Sequence, residues 1–136
     1  MTQPTPSLAT LYVALGGGAG AVLRYQTGRA MSHWLGVAAS TAFPWATLTV
    51  NVVGSLAMGL LVGWLARHGD AGGQTWRLLL GVGLLGGFTT FSSFSMEAVL
   101  LVERGTPGLA LAYAGVSVAA GIAAMMLGLL TMRVAA

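Results

Sequence analysis

The run GGFTTFSSFS, Gly86 to Ser95, decides how this chain folds. Two glycines open it, and Phe88, Phe91 and Phe94 then recur at every third position among five hydroxyl residues. It stands in the middle of an apolar stretch from Leu78 to Leu101. At about 100° per residue, Thr90, Ser93 and Glu97 share one helical face. Phe91 and Ser95 lie on an adjoining face, with Phe94 between the two. Rings that only faced lipid would not need hydroxyl neighbours there. A glycine pair followed by β-branched Thr89 and Thr90 suits a helix interrupted near its midpoint. Inside a membrane, such a break is tolerated only where the freed backbone groups are buried in protein or line an aqueous cavity. The competing reading is a glycine-kinked helix that merely packs.

Composition puts this run inside a membrane. Of 136 residues, 56% are hydrophobic and 7% charged, against roughly 25% charged in soluble domains. A soluble fold this small could not cover its surface with so few charges. Four spans reach the roughly 20 apolar residues that a crossing requires: about Leu8–Met31, Ala46–Ala66, the stretch between Arg77 and Glu103, and Thr106–Met132. The length allows one domain, 1–136. Trp34, Trp45, Trp64 and Trp76 all fall at span ends, where interfacial tryptophans sit. Trp45 and Trp64 are 19 positions apart, or roughly 29 Å along a helix, close to the hydrocarbon thickness. The expected fold class is therefore an all-α membrane protein with four transmembrane helices, the third broken near its middle.

Charge then bears on topology and partners. The net charge of +3 comes from six arginines and three acids, too few and too scattered for nucleic acid. An even number of spans places both termini on one side, with Arg67, Arg77 and Arg133; the other side carries Arg24, Arg29 and Arg104. The positive-inside rule works on the difference, which is zero here. Either a dominant loop or another chain resolves a weak bias, or the protein inserts both ways and pairs as an antiparallel dimer. Gly16/Gly20, Gly59/Gly63 and Gly83/Gly87 have the four-residue spacing of close helix packing. Four such helices enclose little alone, so oligomerisation is expected.

Other motifs carry less. GVGLLG, Gly81 to Gly86, has the G-x-G-x-x-G form but no room for the βαβ unit that a dinucleotide site requires. His33 and His68 read as interfacial, without a metal-binding partner set. Cysteine is absent, and no nucleophile has a plausible base, so an enzyme is not expected. MTQPTPS lacks a signal peptide's basic region, although Ala19–Ala21 imitates a cleavage site. Asn51, inside the second span, must find partners: either an interhelical hydrogen bond or a polar path that its amide lines. Tyr113 and Ser117 share a face of the last span. These donors favour an anion pathway. A single intramembrane acid, Glu97, argues against a carboxylate-rimmed cation route.

At these residues the chain closely resembles the Fluc (CrcB) family of fluoride channels. The matches are GGGAGAVLRY (Gly16 to Tyr25), PWATLTVNVVGSLAMG (Pro44 to Gly59), GGFTTFSSFSMEA (Gly86 to Ala98) and, more weakly, YAGVS (Tyr113 to Ser117). The resemblance implies an antiparallel, dual-topology homodimer in the inner (plasma) membrane, exporting cytoplasmic fluoride passively through two pores. It implies a helix break at Gly86 to Thr89, and a structural sodium ion held at the dimer centre by the Gly86 and Thr89 carbonyls. Phe91 and Phe94 would line the pore and Asn51 would donate to fluoride, with Thr90, Ser92, Ser95, Tyr113 and Ser117 as further polar-track candidates. Arg24 and Glu97 also match family positions, as vestibule or supporting residues. Ala46, Ser93 and Gly121 depart from the usual pattern. The alternatives are a small four-helix multidrug or cation transporter, which needs an acid in its first span where Leu8 to Leu23 has none, and a non-transporting assembly factor.

Overall fold

A computed structural model describes residues 4–68 and 73–134. It contains α1 (Pro6–Ala42), α2 (Trp45–His68), α3 (residues 73–88), α4 (Phe91–Glu103) and α5 (Pro107–Val134). Four stretches are long and apolar enough to cross a membrane, the third formed by α3 and α4 together, Gly73–Glu103. Of RHGDAGGQ, Arg67 to Gln74, the connection expected between the second and third spans, residues 69–72 and the His68 side chain lie outside the described residues.

The first span runs past its expected end at Met31. Its 37 residues would extend about 55 Å if straight, more than the roughly 40–45 Å of a whole bilayer. The helix turns aside at Gly36, whose φ of 80° and ψ of 159° leave the helical region. That is left-handed backbone, which glycine adopts without steric cost. Arg29, Ser32, His33 and Trp34 look like an interface in sequence, yet they remain helical because nothing before Gly36 stops the turn.

Two glycine seams hold the bundle. Along α1 and α3, a β-carbon on Gly20 would fall onto the Leu84 carbonyl, and one on Gly87 onto the Gly17 carbonyl. Along α2 and α5, Gly59 meets the Met125 carbonyl and Gly128 the Leu56 carbonyl in the same way. Lipid tails give apolar side chains no reason to cluster, so close backbone approach and dispersion carry the association. Trp64 and Trp76 meet edge to face, centroids 6.4 Å apart, where α2 and α3 come together.

α3 is wide-turned over Arg77–Leu85, with the Gly86 N–H reaching back five residues to the Gly81 carbonyl, and it stays helical through Gly86–Phe88. The break falls at Thr89 and Thr90, both extended. It therefore occupies only the last position of the expected Gly86–Thr89 interval and extends one residue beyond it. Gly87 serves the seam with α1, while the threonines carry the interruption. α4 ends in a Schellman turn: the Gly105 N–H bonds the Val102 carbonyl and the Thr106 N–H bonds the Leu101 carbonyl, with Gly105 at φ 78°. Leu101, Ala110 and Tyr113 form a small buried cluster between α4 and α5, with Phe43, Leu48 and Phe94 packed on it.

Candidate functional site

The broken span is held open by one side chain. The Asn51 Oδ1 accepts from the Thr90 N–H at 2.8 Å, and its Nδ2 donates to the Thr90 carbonyl at 3.1 Å. An amide that reproduces a peptide's donor and acceptor can replace the helical bonds lost at a break. The interhelical bond expected as one reading of Asn51 is thus present, and one Nδ2 hydrogen has no acceptor among the described residues. A cavity of about 270 Å³ opens here, lined by Asn51, Ser55, Thr89, Thr90 and Phe91 among others.

Thr90 caps α4, its Oγ1 accepting from the Ser93 N–H at 3.2 Å, as N-cap residues do. The same oxygen lies 3.3 Å from the Ser92 hydroxyl and donates to that of Ser93 at 3.1 Å. The positive end of α4 therefore faces the break with backbone and hydroxyl donors. On the other side two carbonyls have lost their regular helical donors. The Thr90 N–H goes to Asn51 rather than to Gly86, and the Ser93 N–H goes to the Thr90 hydroxyl rather than to Thr89. Donors thus gather on one side of the break and acceptors on the other.

One helical turn further on, α4 presents Glu97. Its Oε1 accepts from the Thr47 hydroxyl at 2.7 Å and its Oε2 from the Tyr113 hydroxyl at 2.8 Å. Thr47, at 7% exposure, and Tyr113, at 0%, are buried, so each oxygen holds a fixed partner. Phe94 stacks between the two levels, 5.6 Å from the Phe91 ring and 5.2 Å from that of Tyr113. Phenyl edges are positive and suit a partly dehydrated anion. Phe91 is 80% exposed on the single chain and faces outward from the bundle. The Ser117 hydroxyl, one turn after Tyr113, is buried without a hydrogen-bond partner among the described residues.

The structure brings Asn51, Thr90, Ser92 and Phe91 together at the break, with Phe94, Tyr113 and Glu97 in one adjoining column. Ser95 stands apart, its hydroxyl donated to the Phe91 carbonyl at 2.9 Å. Arg24 lines a separate cavity of about 570 Å³ that Glu97 also reaches. Sequence reasoning missed Thr47, because an intrahelical threonine usually bonds its own helix; only its place one turn before Asn51 pointed inward.

These features define a class: a multi-pass helical membrane protein whose third span is interrupted around a donor-lined polar site. Within that class, residues 11–129 match the family described as CrcB-like protein, Camphor Resistance (CrcB). The chain belongs to this family. It is 59% identical over 125 residues to a protein of Novosphingobium aromaticivorans named fluoride-specific ion channel FluC, covering 92% of this chain and 96% of that one. Proteins of the same name from Erythrobacter litoralis and Phenylobacterium zucineum are 53% and 51% identical. The first alignment covers 98% of both chains; the second covers 92% of this chain and 95% of the relative.

Proposed function

We propose that this protein is a passive, fluoride-selective channel, not an enzyme, that lets cytoplasmic fluoride leave across the inner membrane. The observation that carries the reading is the break at Thr89 and Thr90, kept open by Asn51 and continued by the column of Phe94, Tyr113 and Glu97. A small, strongly hydrated anion needs replacement donors at every step, and the track offers the second Asn51 N–H, the hydroxyls of Ser92 and Ser117, and phenyl edges, with the Tyr113 hydroxyl held beside them by Glu97. Ser117 has a buried hydroxyl with no partner among the described residues; a passing ion would supply the acceptor. The names of near full-length relatives point the same way.

The working unit we propose is an antiparallel, dual-topology homodimer in lipid. The exposed Phe91, the open cavity at the break and the balanced arginines favour a second copy there. The Gly86 and Thr89 carbonyls, both without their regular donors, have the hard-oxygen chemistry of an alkali-cation site. They fit a structural sodium at the dimer axis, which would tie the two breaks together. Liposomes loaded with fluoride and followed by a fluoride electrode test the function: passive efflux that excludes chloride is expected, and no efflux or equal chloride efflux would sink it. Labelling a terminal tag from each side tests the topology, with equal numbers in both orientations expected.

A further inference from the structure

Three threonines of α1 bond back to the carbonyl four residues earlier: Thr10 to Pro6 at 2.9 Å, Thr27 to Leu23 at 2.9 Å and Thr41 to Val37 at 2.8 Å. Ser40, four residues after the Gly36 kink, makes no such bond, and its hydroxyl is buried with no hydrogen bond among the described residues. Ser117 alone shares this condition.

Ser40 stands between two cavities, of about 570 and 230 Å³, and lines both with Pro44 and Glu97. Arg24 and Arg29 line the larger and Arg104 the smaller. Arg104 is pinned beside Ser40, its guanidinium donating to the Thr41 carbonyl at 2.9 Å. None of these arginines is ion-paired with a described residue, and Glu97 is the only acid on either cavity, with both oxygens engaged.

We propose that Ser40 and Arg104 form an anion-holding subsite at the mouth beside the α1–α2 turn, outside the polar track. The chemistry is that of a small monovalent anion accepting one hydroxyl and one guanidinium hydrogen; naming fluoride as the occupant rests on the channel reading above. The nearby Glu97 charge keeps the hold weak, as a relay step requires, since an ion must be able to leave as readily as it arrives.

The test is fluoride efflux from liposomes across a range of internal fluoride, with wild type, Ser40→Ala, Ser40→Thr and Arg104→Gln. Ser40→Ala should raise half-saturating fluoride about tenfold, the size of one lost charge-assisted hydrogen bond, with the maximal rate little changed. Ser40→Thr keeps a hydroxyl and should stay near wild type, while Arg104→Gln should shift as Ser40→Ala does. Thermal melting in detergent gives a second readout independent of conduction. Wild type should show a fluoride-dependent rise over chloride that Ser40→Ala diminishes, and without fluoride Ser40→Ala should melt no lower than wild type. A wild type that fails to conduct while this fluoride response still depends on Ser40 overturns the channel and leaves the subsite standing. A Ser40→Ala protein that matches wild type in both half-saturation and fluoride response overturns the subsite.

Discussion

Asn51→Ala is the most informative perturbation of the break. The change removes two hydrogen bonds, at 2.8 and 3.1 Å, and leaves both backbone groups of Thr90 unpaired, on a residue only 7% exposed. Each deserted buried group costs about 1–3 kcal/mol, about 2–6 kcal/mol for the pair. The neighbouring cavity of about 270 Å³ has room for several waters at roughly 30 Å³ each. Rehydration of the two groups places the expected loss near the lower end, about 2–3 kcal/mol. Sodium dodecyl sulfate titration of detergent-solubilised protein, followed by tryptophan fluorescence, measures it, and fluoride efflux should be lost as well. Asn51→Asp retains an acceptor for the Thr90 N–H but sets a carboxylate in an anion's path, so efflux should also fall. An Asn51→Ala protein within about 0.5 kcal/mol of wild type, the usual range of changes without a structural role, would refute the claim that this amide holds the break.

The remaining predictions concern single contacts. Ser117→Ala removes a hydroxyl with no partner among the described residues, so stability should change by less than about 0.5 kcal/mol while fluoride efflux slows; an equal loss of both would make Ser117 a packing residue. Tyr113→Phe leaves Oε2 of Glu97 without its donor and should cost about 1–3 kcal/mol in the same titration; no loss would mean that the bond to Glu97 contributes nothing. Gly87→Ala drives a methyl group into the Gly17 carbonyl, whereas Gly18 has nothing within 4 Å of an added β-carbon. The first should destabilise by about 1–3 kcal/mol or more and the second by almost nothing; similar effects would dissolve the proposed seam.

The four spans were legible because membrane burial writes itself in composition and in tryptophan position, and neither depends on tertiary detail. The end of α1 was not, because Arg29, His33 and Trp34 have interfacial chemistry whether or not the helix continues beneath them. The break was legible as an event but not in its position. Adjacent glycines are the strongest local sign of interruption, yet Gly86 and Gly87 remain helical, and Gly87 is claimed by the seam with α1. What settles the position is Asn51, 39 residues away in sequence from Thr90, a pairing that no local pattern contains. Tyr113 and Ser117 were legible as one face through their spacing. Glu97 was legible as sharing a face with Thr90 and Ser93, but its two hydroxyl donors come from different helices, and the Thr47 side chain had the appearance of an ordinary helical threonine. Ser40 left no trace in the sequence, where it lies past the expected end of the first span.

The α1–α3 seam has a consequence for motion. Where side chains separate two helices, rotamer changes let them slide by fractions of an ångström. Gly16, Gly20, Gly83 and Gly87 bring backbone against backbone, and a peptide plane has no rotamers to spend. α1 and α3 are therefore locked together up to Thr89, and α4 follows the break as a separate helix, joined to α2 across the gap by the Asn51 amide.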